Sequence, residues 1–144
     1  MSAGFASVFL LVACSPASKY AASSWQFAQD QRIFQGTQPL QWDNSLFTLA
    51  DNRARYMADN LDFNHDMLYF HQNVAGHDWA CEIIGRQPLI DPGQNIAVLD
   101  SIAQGWLKSP AHASCMLGSQ FKYAAISGYV GSDGWVYESM WITD

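Results

Sequence analysis

Apolar residues recur at helical spacing over residues 44–61, and this is the clearest helix that the sequence predicts. Asp43 stands just before the repeat and has the side chain of a good helix N-cap. A shorter repeat over residues 24–34 predicts a second, moderately amphipathic helix, with Ser23 or Ser24 as its cap. Both helices come early in the chain, and most of their apolar positions are explained by core packing.

The middle of the chain has a different pattern. Residues 62–92 show no steady period, are rich in turn formers and carry three of the four histidines, so we expect a long, structured loop there. Asp100 then predicts the cap of a further helix. Ser109 and Pro110 predict the start of another, because proline is tolerated in the first helical turn.

The C-terminal part reads as a β-hairpin. Two runs, 121–130 and 134–143, flank a Ser-Asp-Gly turn in which Gly134 supplies the positive φ. Side chains alternate along the last strand, and both faces are largely apolar, so we expect the sheet to be covered on both sides. Early helices and a covered hairpin predict an α+β protein, built as a three-layer α-β-α sandwich around a small antiparallel sheet.

Composition narrows the class of protein. The 144 residues are enough for one domain, and 49% hydrophobic residues argue against disorder. The formal charge is -6 and only seven residues are basic. No basic cluster is present to neutralise phosphates, so a nucleic acid is not expected as a partner.

The first residues predict export. A short apolar run ends at Cys14 in a pattern that resembles a bacterial lipobox, in which the cysteine is lipidated and becomes the new N-terminus. We therefore expect a lipoprotein signal segment at 1–14, a tether at 15–23, a domain at 24–144 and a lipid anchor in the cell envelope, most consistent with an outer-membrane lipoprotein. The alternative is an ordinary secretory signal or a ragged N-terminus, and in either case Cys14 has no role.

Cysteine counting agrees with export. Lipidation of Cys14 leaves Cys81 and Cys115 as an even pair, which an oxidising compartment favours as a disulfide. Such a bond closes a loop of about 35 residues and stabilises the fold by roughly 3–4 kcal/mol. The alternative is two buried free thiols. A redox or metal role is disfavoured, since neither cysteine belongs to a CxxC motif.

Four short motifs occur in a characteristic order: PLQWD at 39–43, FNH at 63–65, GQNIA at 93–97 and WLKSPAH at 106–112. Together they resemble the CAP superfamily of cysteine-rich secretory, antigen 5 and pathogenesis-related proteins, in its bacterial SCP-like branch. The resemblance extends from about residue 24 to the end. It implies the same α-β-α sandwich, with a central cleft lined by histidines and acidic residues that hold a divalent metal in some members.

By motif, the resemblance places His65 and His112 in this cleft and puts Gln94 where the family has an acid. It also supports the pairing of Cys81 with Cys115. A glutamine keeps a carbonyl acceptor but brings no charge, so we expect a divalent ion such as zinc to bind weakly at His65 and His112. Without the resemblance, each histidine would be read as a hydrogen-bonded structural residue.

Several acids could replace the missing one, and sequence alone does not place them: Glu82, Asp66, Asp78 and Glu138. Glu138 stands out on an apolar strand face, where a position at the rim of the sheet would also explain it. We therefore expect a non-enzymatic binding domain for a lipid, an envelope polymer or a protein. The alternatives are a metal-dependent hydrolase or peptidase that uses the two histidines, and a structural lipoprotein with a vestigial cleft.

Overall fold

The computed structural model describes residues 19–89 and 101–144. Within these residues no helix is both long and apolar enough to cross a membrane. The elements are α1 (Ala22–Phe34), β1 (Gln41–Trp42), α2 (Asn44–Asn60), α3 (Met67–Asn73), β2 (Ala80–Pro88), α4 (Ser101–Lys108), α5 (Pro110–Leu117), β3 (Tyr123–Val130) and β4 (Trp135–Thr143).

The strands form one sheet in the order β1-β3-β4-β2. β3 and β4 are the predicted hairpin, and Gly134 has the expected positive φ of 77°. β2 pairs antiparallel with β4 and forms one edge. β1 pairs parallel with β3 through two residues only, so the sheet is mixed, whereas a wholly antiparallel one was predicted. The parallel pair arises because the extended segment before α2 runs alongside the start of β3.

Helices cover both faces of the sheet, as predicted. α2 packs on one face, where Leu46 and Ala50 contact Trp141, and Met57 and Ala58 contact Tyr137. The opposite face carries α1, α4 and α5, with these buried residues of the strands among them: Ile83, Ala124, Ile126, Met140 and Ile142. Burial of each large apolar side chain contributes about 1.5–3 kcal/mol, so these two interfaces hold the three layers together.

The helix starts follow the sequence signals in part. Asp43 caps α2 as predicted, and its side chain accepts a hydrogen bond from the Leu46 N–H. α1 begins at Ala22, slightly before the predicted serine cap. Ser109 occupies the N-cap position of α5, but its hydroxyl makes no capping hydrogen bond, so the φ of Pro110 defines that start. The predicted cap Asp100 and the preceding residues 90–99 lie outside the described residues.

The prediction of a long loop over residues 62–92 is wrong, since this stretch contains α3 and β2. α3 has only seven residues, none of them fully buried, and is too short for a helical repeat to be recognised. β2 was not recognised in the sequence because its inward-facing positions include Glu82 and Gly85, which interrupt the apolar pattern of a strand. Gly85 is needed there: a Cβ atom at this position would overlap the Ile102 side chain of α4.

The buried guanidinium of Arg32 links the segment before β1 to the segment before β3. Arg32 of α1 is fully buried and donates hydrogen bonds to four backbone carbonyls, those of Gln38, Met116, Gly118 and Phe121. Burial lowers its pKa. Gln38 lies before β1, Met116 in the last turn of α5, and Gly118 and Phe121 between α5 and β3, so this side chain fixes the two segments that lead into the sheet.

Candidate functional site

The centre of the site is a pair formed by His65 and Glu82. The His65 Nδ1 atom lies 2.8 Å from the Glu82 Oε1 atom. Glu82 stands on β2 opposite Trp141 of β4, so its side chain points to the α2 face of the sheet. The carboxyl side chain is 3% exposed, whereas the imidazole is 39% exposed. A buried acid therefore holds a histidine that remains accessible to a ligand.

Two neighbours fix the Glu82 carboxylate. The Ser139 hydroxyl donates a hydrogen bond to its Oε2 atom at 3.2 Å, and the Trp141 indole N–H donates in turn to Ser139. The Arg53 Nε atom lies 3.8 Å from the same Oε2 atom, an ion pair that is too long for a hydrogen bond. This frame leaves Oε1 directed at His65.

Arg53 also positions the segment that carries His65. Its guanidinium donates a 2.7 Å hydrogen bond to the Asn64 carbonyl and lies 4.0 Å from Asp66, the N-cap of α3. One buried cation of α2 thus contacts both the acid of the site and the backbone next to its histidine. Sequence analysis assigned no role to Arg53, because its helical position suggests only an ordinary charged residue.

The chemistry of the pair follows from its geometry. A carboxylate can only accept, so the His65 Nδ1 atom carries the hydrogen, and in the neutral ring the other nitrogen keeps a lone pair. That nitrogen can accept an N–H from a ligand or coordinate a metal ion. In metal sites, a carboxylate behind a histidine fixes the tautomer and ring orientation in the same way.

His112 of α5 is the second histidine that the family motifs placed in the cleft. Its pKa is lowered, first by burial and then by the nearby charge of His65. The two rings are therefore close enough for the protonation of one to disfavour that of the other. That His65 and His112 line one cleft stays a prediction.

A disulfide joins the elements on which the site is built. Cys81 of β2 is bonded to Cys115 of α5, with Cα atoms 6.0 Å apart, as predicted. Cys81 directly precedes Glu82, and Cys115 lies one helical turn after His112. The bond therefore connects the strand that carries Glu82 to the helix that carries His112.

A cavity of about 200 Å³ opens beside the pair. His65, Met67, Phe70 and Glu82 line it. Phe70 belongs to α3, and its ring lies 5.3 Å from that of Trp141, centroid to centroid. The lining thus combines one polar pair with two large apolar side chains. A cavity of this kind binds an apolar group next to a hydrogen-bonding one.

Comparison with known proteins decides the family. The sequence model of the cysteine-rich secretory protein family, CAP, matches residues 31–143. The chain belongs to the CAP family. A sequence search of the curated proteins finds no match.

Solved structures similar to this CAP domain have the same fold. An outer surface protein from Borrelia burgdorferi superposes with a TM-score of 0.66 at 17% identity, covering 88% of this chain and 93% of that one. A cysteine-rich secretory protein from Staphylococcus aureus gives 0.60 at 20% identity, covering 92% and 40%. NaASP2, solved with Zn²⁺, gives 0.59 at 13% identity, covering 86% and 76%.

The acid beside His65 is Glu82, one of four that sequence analysis weighed. The sequence signal for its position was the alternation of side chains along β2, which puts Glu82, Ile84 and Arg86 on one face of the strand. The strand itself was not recognised from the sequence. Asp66 instead lies at the rim as the α3 cap. Gln94 and Cys14, the other two predicted residues, lie outside the described residues.

Glu138 of this CAP domain is not at the rim of the sheet, as one interpretation of the sequence had it. It is fully buried on β4, on the face opposite to Glu82, between Gly85 and Gly128 of the neighbouring strands. Burial raises its pKa to about 8, and the Ser24 hydroxyl acts in the opposite direction. Glu138 is therefore separated from the cleft by the sheet itself.

The donor set fits a metal ion only in part. Across residues 19–89 and 101–144, no group of three or more His, Cys, Asp or Glu side chains is placed to hold one. Glu82 is already engaged by His65, Ser139 and Arg53. The two imidazoles that were predicted as ligands, those of His65 and His112, are fewer than the three protein ligands of a catalytic zinc site.

Proposed function

We propose that this CAP protein is an exported, envelope-anchored binding domain whose ligand site is the cleft of His65, Glu82 and His112. The single observation that carries the site is the 2.8 Å contact between the buried Glu82 carboxylate and the exposed His65 ring. A fixed acid behind an accessible imidazole, next to an apolar cavity, is suited to recognising a polar group with an apolar neighbour.

Export is supported by several independent features. The lipobox-like sequence before Cys14 points to a lipoprotein of the cell envelope, in the outer membrane and facing the periplasm or the cell surface. The disulfide between Cys81 and Cys115 belongs to an oxidising compartment. Two structural neighbours are described as an outer surface protein and a secretory protein.

A binding role is favoured over catalysis because of what Glu82 does. A zinc hydrolase needs three protein ligands, an open position and a base. Here the nearest acid orients His65, and the next one, Asp66, caps α3, which leaves the two imidazoles as ligands. We therefore propose that zinc or a similar ion binds only weakly, through His65 and His112, and that Gln94→Glu tightens this binding.

The metal-dependent hydrolase or peptidase is the second candidate, and NaASP2, solved with Zn²⁺, is the observation in its favour. Zinc titration by calorimetry, combined with a turnover screen against peptide and ester substrates, separates the two. Weak binding and no metal-dependent turnover support the binding domain. Tight stoichiometric binding that His65→Ala abolishes, together with turnover, would establish the hydrolase.

Ligand capture from an envelope extract tests the binding role itself. The immobilised full chain is compared with a double variant, His65→Ala with His112→Ala, and with His71→Ala, which alters an exposed histidine of α3. We expect a component that is retained by the wild type and by His71→Ala but not by the double variant. Equal retention by all three proteins would favour the structural lipoprotein with a vestigial cleft.

A further inference from the structure

We infer that the cavity beside His65 takes one large apolar side chain of a peptide whose flanking residues are basic. This inference rests on the proposed binding function and goes beyond it by naming a ligand class. Three properties of the described residues carry it: the size of the cavity, the apolar residues at its mouth and the sign of the free charges around it.

The size of the cavity limits what can enter. At about 200 Å³ it is smaller than the roughly 300–1,000 Å³ of pockets that enclose a whole small molecule. It exceeds the cavity of about 150 Å³ that accommodates benzene in another protein. One aromatic or branched aliphatic group therefore fits, and the rest of the ligand must lie outside, over the rim.

The mouth of the cavity is apolar. Met67 and Leu68 begin α3 next to His65, and they are 54% and 70% exposed. Below them Phe70 and Tyr69 pack on Trp141, so the first turn of the helix is held in place while its apolar side chains face solvent. A ligand segment that extends from the cavity along the start of α3 covers Met67, which lines the cavity, and Leu68, which follows it in the helix.

An exposed carboxylate, that of Asp66, stands between His65 and Met67 of the cavity lining. Asp66 is 48% exposed, and its only described ion pair is the 4.0 Å contact with Arg53, which is itself buried. Arg86, on the same face of β2, is stacked on Phe63 and Trp135. No lysine occurs between Lys19 and Lys108. A ligand with basic flanks is thus favoured over one with acidic flanks.

The size of the cavity and the charge of Asp66 disfavour a membrane lipid as the ligand. A long acyl chain needs more volume than the cavity has among the described residues, and an anionic head group would be repelled by Asp66. A peptide, in contrast, brings backbone N–H groups that the free nitrogen of His65 can accept. The peptide side chain then fills the cavity between Met67 and Phe70.

The test uses the full chain with ¹³C-labelled methionine methyl groups, titrated with short peptides and followed by NMR. The probes are acetyl-Lys-Phe-Lys-amide, the same peptide with alanine in place of phenylalanine, and the same peptide with both lysines replaced by glutamate. We expect the Met67 signal to shift on titration with the first. Alanine should weaken binding by about 10- to 100-fold, and the glutamates by about fivefold or more.

Variants locate the binding. Leu68→Ser should weaken binding of the Lys-Phe-Lys peptide severalfold, whereas Phe34→Ser, which alters an 87% exposed residue at the end of α1, should leave it unchanged. Equal affinity for the lysine and glutamate peptides would overturn the inference. So would a Met67 shift with phosphatidylglycerol vesicles but with none of the peptides. If the peptides fail while envelope capture still depends on the two histidines, the proposed function stands without this ligand class.

Discussion

The Glu82 Oε1 atom lies 2.8 Å from the His65 Nδ1 atom and joins the edge strand β2 to the segment before α3. The carboxylate is nearly inaccessible to solvent and is also held by Ser139 and Arg53. Because these partners are fixed by α2 and β4, the orientation of one exposed imidazole depends on the packed interior of the domain. The geometry of the cleft therefore depends on the packing of the core.

Replacement of Glu82 tests this dependence on the core. Glu82→Gln keeps the size of the side chain but removes the buried charge that faces Arg53, so this cation keeps only its ion pair with Asp66. We expect a loss of about 1–3 kcal/mol in the free energy of unfolding, measured by urea denaturation at pH 7. Asp30→Asn, at an exposed carboxylate of α1, is the control and should change stability by less than about 0.5 kcal/mol. Equal effects of the two changes would show that Glu82 is not held by the core.

Glu138 predicts an unusual dependence of stability on pH. Its pKa is raised from 4.5 to about 8 in the folded protein, so between these values the native state binds more protons than the unfolded state does. The contribution of this group to stability is full below pH 4.5 and is lost as the pH rises through 8. At about 1.4 kcal/mol per pKa unit, the total loss is at most about 5 kcal/mol.

Glu138→Gln isolates this effect, because glutamine has nearly the same shape and does not ionise. Urea unfolding of both proteins at pH 5, 7 and 9 measures it. We expect the variant to gain stability relative to the wild type as the pH rises. A difference between the two proteins that stays constant from pH 5 to pH 9 would contradict a buried, titrating Glu138.

The disulfide should contribute mainly through the unfolded state. Replacement of Cys81 and Cys115 by serine opens a link between residues separated by 34 positions, so we expect a loss of about 3–4 kcal/mol. Non-reducing peptide mapping of the exported protein should show this crosslink. Two thiols that react with an alkylating reagent in the natively exported protein would rule out the bond in the cell.

Cys14 carries the prediction of a membrane anchor. In a bacterial host, the mature protein should begin at a diacylated Cys14 and sediment with membranes. Ser15 is not the aspartate that retains lipoproteins at the inner membrane, so we expect the outer membrane in a Gram-negative cell. Cys14→Ser should release the protein or block its processing, as membrane fractionation would show. Undiminished membrane association of this variant would leave the anchor without support.

Local patterns predicted much of the fold. Helical spacing and the Asp43 cap located α2, and strand alternation with Gly134 located the hairpin of β3 and β4. These elements have one clear apolar face or a strong turn signal. β2 has neither signal. Its Glu82 belongs to the cleft and its Gly85 makes room for α4, and both interrupt the apolar pattern by which a strand is recognised in a sequence.

The site was less accessible to sequence reasoning than the fold. His65 and His112 stand in separate elements, and only the family motifs joined them. Glu82 meets His65 through the pairing of β2 with β4, a contact between distant parts of the chain that no local period reveals. Arg53 and Ser139 were missed for the same reason, since their roles depend on which atoms the folded chain places next to them.

The imidazole titration of His112, followed by NMR, tests most directly whether the two histidines share one cleft. In the wild type we expect a pKa below the usual 6.5, because burial and the charge of His65 both lower it. His65→Gln removes the second cause and should raise the pKa while burial still keeps it below 6.5. His71→Gln, on the exposed side of α3, is the control and should have no effect. A His112 pKa that is the same in the wild type and in His65→Gln would contradict a shared site.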